Sequence, residues 1–260
     1  MAIPGFDQQT LSADGIEHDV YVKGSGRAVL VMHELPGLAE PAVCFAKRLA
    51  EAGFRVYLPH LFGTLLSHAP NTNYVQLCIS KEFACLRAGT EAPITRWLRT
   101  LAERISTENG GGPVGVIGMC LTGAFVIPLI LEPGVKAAVA AQPAVPLSIT
   151  YAATGCGAGA WMRELNVPDA QLAAAAKRAR EASVPILAMR FRADRICVPE
   201  KIERLKEAFG HQLEALELES PGASWWRPPH AVLTEEFDRN NPAAHAAHAH
   251  VVAFLKRHLG

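Results

Sequence analysis

Cys120 is the side chain in this sequence that is best placed to act as a nucleophile. It follows a β-forming run, Val114 to Ile117, and the small residue Gly118, and it precedes an apolar run, Leu121 to Ile130, that predicts a buried helix. A side chain on such a sharp strand-to-helix turn projects from the carboxyl edge of a sheet. The first amides of a helix at that point would favour a thiolate. An inert buried cysteine is the alternative, and this motif alone does not separate the two interpretations.

A thiol nucleophile needs a base for its proton and a carboxylate that orients the base, and the sequence offers both. Asp194 follows a predicted strand at 185–191, and His230 lies beyond a predicted strand at 213–218, ahead of the last helix. Strands of a parallel sheet end at the same edge, so we expect the three side chains to meet there. A lone aspartate after a strand is more often a turn residue, and a lone histidine is usually polar surface. Three such residues at the right strand ends are much less expected by chance.

Strand-like and helix-like segments alternate along the whole chain. The remaining predicted strands lie at 16–22, 28–32, 54–58 and 135–141, and the predicted helices at 41–52, 75–87, 92–105, 169–182, 200–209 and 242–258. Residues 60–74 form a long irregular stretch, a length that is usually functional or mobile, and residues 143–161 have no clear assignment. Alternating elements of this kind predict an α/β fold with a mostly parallel, doubly wound sheet and helices on both faces. We predict a single domain over residues 1–260, because no boundary or repeat is visible.

The composition excludes several classes of partner. Lysine plus arginine and aspartate plus glutamate number 25 each, so neither nucleic acid nor an anionic membrane is expected to bind. The first residues lack the pattern of a signal peptide, and no apolar run has membrane-spanning length. The six cysteines lack CxxC spacing and are interpreted as thiols of a reducing compartment. We therefore expect a cytoplasmic protein without a disulfide framework or a zinc site.

Three stretches together resemble the dienelactone hydrolase family of α/β hydrolases, which carry cysteine where most relatives carry serine. Val29 to Leu38 resembles the family's strand that ends in a glutamate, an apolar residue and a nearby glycine. Gly118 to Gly123 resembles its nucleophile turn, and Asp194 with Val198-Pro199, followed by His230, resembles its acid and base. The order of helices and strands agrees over nearly the whole chain. The resemblance implies an α/β-hydrolase fold.

The resemblance also implies an activity and a catalytic triad. Cys120 would be the nucleophile, His230 the base and Asp194 the orienting carboxylate of a cysteine hydrolase acting on esters or lactones through a thioester intermediate. Apart from the resemblance, the same nucleophile could attack phosphorus in neutral phosphotriesters as a side activity. The implied partner is a small-molecule ester or lactone, no cofactor is implied, and the protein is expected to be a monomer or a homodimer.

Further site residues follow from the same resemblance, and two positions depart from it. Glu34 corresponds to the family's extra carboxylate, which faces the resting thiol and takes its proton, and the amides of Leu35 and Leu121 would form the oxyanion hole. Thr122 stands where the family usually has glycine, which would crowd the turn unless the helix shifts. His60 stands where many members have aspartate, and it is a candidate to line the substrate pocket or to cap it.

The alternatives at this stage are a binding protein and a metal protein. A non-catalytic α/β-hydrolase relative that binds a small ligand is the main one, although retention of all four catalytic groups argues against it. His245, His248 and His250 do not share one face of the last helix, so no metal site is expected. Trp225 and Trp226 suggest an aromatic wall of the substrate pocket, with core packing as the alternative.

Overall fold

One eight-stranded sheet forms the centre of the protein. The computed structural model describes residues 2–67, 93–144, 158–220 and 224–260. Within these ranges the strands are β1 (Asp7–Ala13), β2 (Ile16–Lys23), β3 (Arg27–Met32), β4 (Phe54–Pro59), β5 (Val114–Met119), β6 (Val135–Ala141), β7 (Ile186–Phe191) and β8 (Leu213–Leu218).

The sheet is parallel except at one strand. Its order is β1-β2-β4-β3-β5-β6-β7-β8, in which β2 runs antiparallel to both of its neighbours and the pairs from β4 to β8 are parallel. The carboxyl ends of β3, β5, β6 and β7 consequently lie side by side at one edge. The predicted mostly parallel, doubly wound sheet is confirmed.

Helices cover both faces of the sheet. They are α1 (Glu40–Glu51), α2 (Pro93–Glu108), α3 (Val126–Leu129), α4 (Ala158–Arg163), α5 (Asp169–Glu181), α6 (Pro199–Phe209), α7 (Glu235–Asp238) and α8 (Pro242–Leu259). Side chains alternate across the central strands, so that Leu30 and Val116 pack with α2, α5 and α6 while Val31 and Ile117 pack with α1 and α8. Two apolar layers thus hold the central strands rigidly. Within the described ranges, no helix combines the length and apolar character needed to cross a membrane.

The structure corrects the prediction of one helix over residues 121–130. A 3-10 helix, Cys120–Ala124, is followed by the single α-helical turn of α3. Pro128 lies within this segment and has no backbone N–H, so it cannot donate to the carbonyl of Ala124 as a continuous helix requires. The predicted electrostatic support from a long helix dipole at Cys120 is therefore much reduced.

Other differences concern segments with weak patterns. β1 was not predicted, and α4 lies in a stretch that the sequence left unassigned. The helix predicted at 75–87 lies outside the described residues.

Candidate active site

Cys120 stands at the carboxyl end of β5, on the turn into the 3-10 helix. Its φ is +52°, a left-handed conformation that residues other than glycine rarely adopt. The side chain is half-buried and carries a free thiol. The sharp turn with unfavourable backbone geometry that the sequence predicted is therefore present.

Two glycines allow the chain to fold back closely at this turn. A Cβ atom at Gly118 would lie 2.1 Å from the carbonyl oxygen of Thr122, and one at Gly123 would lie 2.9 Å from the Cα atom of Pro143. Gly123 therefore permits the close approach for which the family usually has a glycine one position earlier, at residue 122. Thr122, the residue that departs from this pattern, is fully buried and does not crowd the turn, since its hydroxyl accepts a 2.9 Å hydrogen bond from the amide of Met119.

The predicted base and acid are in direct contact. Nδ1 of His230 lies 2.7 Å from Oδ2 of Asp194, which is buried at the end of β7. The other carboxylate oxygen, Oδ1, accepts hydrogen bonds from the amides of Ile196 at 2.8 Å and Cys197 at 3.0 Å. Two backbone amides thus hold one oxygen of Asp194, and the other oxygen orients the imidazole of His230. This contact places Nδ1 on the carboxylate and leaves Nε2 for other partners.

The charges of Cys120 and Asp194 affect the pKa of His230. Burial lowers the pKa of His230, but negative charge at the Cys120 sulfur and the hydrogen bond to Asp194 raise it by more, so that the pKa lies well above its usual value. Nε2 of His230 is buried, and none of the described residues forms a well-aligned hydrogen bond with it. The sulfur is therefore near the imidazole without the alignment of a full hydrogen bond. This arrangement favours the protonated form of the His230 imidazole.

Glu34 lies beyond the end of β3 and is buried. It is therefore not a surface residue. Gln142 donates to Oε2 from its Nε2 atom at 2.9 Å, and the hydroxyl of Thr234 donates to Oε1. Burial raises the pKa of Glu34, and these two hydrogen bonds oppose that rise. The predicted contact with the Cys120 thiol is not among these hydrogen bonds, so proton transfer from the thiol to Glu34 stays a prediction.

The two peptide groups of the expected oxyanion hole are anchored through their carbonyls. The carbonyl of Glu34 accepts hydrogen bonds from the amide of Gly37 at 2.9 Å and from Nδ1 of His33 at 3.1 Å. The carbonyl of Cys120 accepts one from the amide of Ala144 at 3.0 Å. In a trans peptide the N–H points opposite to the C=O, so these bonds set the directions of the Leu35 and Leu121 amides.

Three residues that were expected at the substrate pocket have different surroundings. His60 follows β4 and is half-buried, with Nε2 2.9 Å from the carbonyl of Gly63. Trp225 and Trp226 are 63% and 85% exposed, so core packing was the wrong alternative for this pair. Arg195, next to the acid, lies over the Trp225 ring at 5.1 Å. Both tryptophans therefore stand beside the loops of the acid and the base.

His245 and His248 of α8 both contact the ring of Phe237, whereas His250 has a different partner. His245 stacks on Phe237 with ring centroids 4.0 Å apart, and Nε2 of His250 lies 2.6 Å from Glu214. In the part of the chain that the structure describes, no group of three or more histidine, cysteine, aspartate or glutamate side chains is arranged to hold a metal ion.

Sequence reasoning missed the residues that support the site. Gln142 directly follows β6 at the catalytic edge, the same signal that identified Asp194. Arg190 is buried in β7 and donates to the carbonyls of Asp194 and Cys197 at 3.2 and 2.6 Å. Thr234 carries no signal in the sequence other than its nearness to His230.

Comparison with known protein families gives a match over most of the chain. A family model described as "Dienelactone hydrolase family" matches residues 19–259. No curated protein sequence matches the chain.

Similar solved structures share the fold over more than nine tenths of their length. A Klebsiella pneumoniae protein assigned as a dienelactone hydrolase is 16% identical, with a TM-score of 0.65 over 97% of this chain and 98% of its own. A soluble variant of monoglyceride lipase from Saccharomyces cerevisiae is 12% identical, with a TM-score of 0.65 over 100% of this chain and 96% of its own. An esterase from Pyrococcus furiosus is 16% identical, with a TM-score of 0.60 over 98% of this chain and 92% of its own. At these identities the likeness concerns the fold, which is that of an α/β hydrolase.

Proposed function

Because the chain belongs to the dienelactone hydrolase family, we propose that it is a cysteine-dependent hydrolase of esters or lactones. The family and the fold support a hydrolase. The finer assignment rests on one observation above all: His230 is held by Asp194 through Nδ1, while its buried Nε2 lies near the thiol of Cys120 and has no aligned hydrogen bond among the described residues. This is the arrangement that a thiol nucleophile and its base require.

The first half of the reaction is acylation. The Cys120 thiolate attacks the carbonyl carbon of the ester, and the carbonyl oxygen becomes an oxyanion that accepts hydrogen bonds from the amides of Leu35 and Leu121. The tetrahedral intermediate collapses with cleavage of the C–O bond. His230, protonated at Nε2, gives its proton to the leaving alkoxide. The products of this half are a thioester at Cys120 and an alcohol, which in a lactone remains attached to the acyl group.

The second half is hydrolysis of the thioester. His230, now neutral, takes a proton from a water molecule, whose oxygen attacks the thioester carbonyl. A second oxyanion forms in the same place, and its collapse breaks the C–S bond and releases the carboxylic acid. Asp194 keeps Nδ1 protonated in both halves, so that Nε2 is the atom that exchanges protons. In a site that rests as a thiol with a neutral His230, the buried Glu34 carboxylate is proposed to take the thiol proton when substrate arrives. That proton is then passed on through His230 to the leaving alkoxide, which restores the Glu34 carboxylate.

Substrate preference is proposed to be for small esters or lactones with an apolar group. Trp225 and Trp226 stand beside His230 in sequence and offer exposed apolar surface, and His60 is proposed to line the opposite side of the pocket. We also infer a cytoplasmic monomer or homodimer, from the scattered thiols and the balanced charge. Turnover of neutral phosphotriesters remains a side activity to be tested.

The test is an activity panel of p-nitrophenyl esters, lactones and phosphotriesters with purified wild type, Cys120→Ala and Cys44→Ala. Cys44 is a half-buried free thiol in α1 and serves as the matched control. We expect turnover of at least one ester or lactone that is lost in Cys120→Ala and kept in Cys44→Ala. Mass spectrometry of rapidly quenched samples should detect an acyl group on the peptide that contains Cys120. Binding of esters without turnover would favour the non-catalytic ligand-binding protein, and full turnover by Cys120→Ala would rule out the cysteine mechanism.

A further inference from the structure

The Thr122 side chain is fully buried two residues after Cys120. Its hydroxyl oxygen accepts the amide hydrogen of Met119 at 2.9 Å. It also lies 3.0 Å from the carbonyl oxygens of Met32 and Met119, either of which accepts its single hydrogen. One small side chain therefore joins the turn that carries the thiol to the end of the neighbouring strand.

The two segments joined by this hydroxyl lead to the two amides of the expected oxyanion hole. Met32 pairs with Gly118 at the last position of the β3–β5 ladder, and beyond this pair the two strands separate. Leu35 is three residues after Met32, and Leu121 is two residues after Met119. Beyond the end of the regular backbone ladder, the hydrogen bonds of the Thr122 hydroxyl still tie one segment to the other.

Rigid placement of these amides matters because oxyanion donors act only over a short range. A donor helps when it lies about 2.7–3.1 Å from the position of the oxyanion, and loss of one donor typically lowers kcat by about 10²- to 10³-fold. A shift of a few tenths of an ångström between the β3 and β5 segments is enough to move one amide out of that range. The thiol itself depends on its own turn and on His230.

We propose that Thr122 is a positioning residue that fixes the Leu35 and Leu121 amides relative to each other by joining Met119 to Met32. This inference rests on the proposed function, because it assigns those amides to the oxyanion. It also explains why threonine is acceptable at a position where the family usually has glycine: the close approach that glycine would permit is supplied by Gly123, and the hydroxyl replaces part of the lost backbone pairing.

The test compares Thr122→Ser, which keeps the hydroxyl, with Thr122→Val, which keeps the shape and removes it. Thr95→Val is the control, since Thr95 is another buried threonine, in α2, outside the two segments that carry the amides. Three quantities are measured for each protein: kcat and KM for the best ester, the inhibition constant of a trifluoromethyl ketone analogue of that ester, and the rate of Cys120 alkylation by iodoacetamide. The ketone forms a tetrahedral oxyanion at the sulfur, whereas alkylation forms none.

For Thr122→Val we expect kcat to fall by about 10- to 100-fold with little change in KM, and ketone inhibition to weaken by a similar factor. Alkylation should stay within about twofold of wild type, and Thr122→Ser should recover kcat to within about threefold, since the thiol and the hydroxyl are then intact. Circular dichroism melting identifies any variant that does not fold; if Thr122→Val is unfolded, Thr122→Ala takes its place in the same comparison.

Other outcomes contradict the inference. Equal losses in turnover and alkylation would mean that Thr122 shapes the turn of the thiol and not the oxyanion hole. Unchanged kcat and ketone inhibition in Thr122→Val would mean that the hydroxyl is dispensable. The failure of the proposed function is recognised separately, because Cys120→Ala would then retain turnover whatever the Thr122 variants show.

Discussion

The Thr234 hydroxyl donates a hydrogen bond to Oε1 of Glu34 and so ties this buried carboxylate to the segment that carries His230, four residues earlier. Gln142 holds the other oxygen from the end of β6. Glu34 therefore links three loops at the catalytic edge. A residue placed in this way can influence both the chemistry of the site and its dependence on pH.

The first prediction concerns Glu34→Gln. The two side chains have the same shape, and Gln142 can rotate its amide so that its unpaired oxygen accepts from the new NH₂ group. We expect the fold to be kept and the acylation rate to fall by at least about tenfold, because a proton acceptor has been removed. The pH dependence of Cys120 alkylation should change as well. Stopped-flow acylation and iodoacetamide kinetics measure both quantities.

Glu235→Gln is the control for this experiment, because Glu235 lines the same small cavity beside Glu34 but is partly exposed. If Glu34→Gln leaves turnover and alkylation unchanged across pH, Glu34 does not activate the thiol. A Cys–His–Asp triad acting without it would then describe the site.

The second prediction concerns the stability of the same variant. The pKa of Glu34 in the folded protein is raised by burial above its ordinary value of 4.5. As pH rises from that value through the folded pKa, the unfolded chain has lost the proton that the folded protein still binds, so stability falls with rising pH. Glutamine does not titrate. We therefore expect the Tm of Glu34→Gln, relative to wild type, to increase from acid to neutral pH, and a difference independent of pH would contradict the raised pKa.

The third prediction concerns Asp194→Asn. The carboxylate raises the pKa of His230, so its neutralisation should lower the pH at which the imidazolium is lost. The amide oxygen of asparagine can still accept from Ile196 and Cys197, which preserves the loop. Turnover should fall by about 10³- to 10⁴-fold, as expected when the histidine tautomer is no longer enforced. Nuclear magnetic resonance titration of the His230 ring checks the pKa, and a titration identical to wild type would contradict this role for Asp194.

The fourth prediction concerns Arg190, whose side chain is 3% exposed and contacts the acid loop. It donates to the carbonyls of Arg192, Asp194 and Cys197 and forms an ion pair with Glu217. Arg190→Gln should lower the free energy of unfolding by about 2–4 kcal/mol, because buried carbonyls lose their donors. Turnover should fall too, since Asp194 is no longer fixed. Chemical denaturation and ester kinetics measure these effects.

Arg192→Gln is the matched control for Arg190. Its side chain is 59% exposed and pairs with the same Glu217. The control should change the free energy of unfolding by less than about 1 kcal/mol. Equal effects of the two substitutions would show that burial of Arg190 does not matter to the acid loop.

The fifth prediction concerns the apolar surface beside the catalytic loops. Among the described residues, the large apolar side chains that are exposed are Ile196, Trp225 and Trp226, all near Asp194 or His230 in the chain. Trp225→Ala should raise KM for p-nitrophenyl octanoate by about tenfold, because apolar contact is lost, and should leave p-nitrophenyl acetate unchanged. Equal effects on the two esters would exclude contact between Trp225 and a longer acyl chain.

The main elements of the fold could be predicted because its central strands are apolar runs bounded by turns. β6 and β8 have the predicted limits, residues 135–141 and 213–218. β1 could not be predicted, because this exposed edge strand contains Gln8, Gln9 and Thr10 and buries few side chains. The division of the predicted 121–130 helix into two short helices was missed, because an apolar pattern does not show that Pro128 lacks a backbone N–H.

The positions of the site residues followed from the rule that parallel strands end at one edge. That rule brought His230 to Asp194 correctly. It could not reveal which groups satisfy the buried Glu34 carboxylate, since Thr234 and Gln142 are 200 and 108 residues away from it in the chain. Such partners depend on packing in three dimensions and leave no periodic pattern in the sequence.

The left-handed backbone at Cys120 has a consequence for how this position can evolve. A residue other than glycine in that conformation costs on the order of 1–3 kcal/mol, and the cost falls on every molecule whether or not substrate is present. Glycine would remove the cost together with the reactive sulfur. Selection for a more stable protein and selection for reactivity therefore act in opposite directions at this one residue, and a relative that had lost its chemistry would be free to replace the cysteine with glycine.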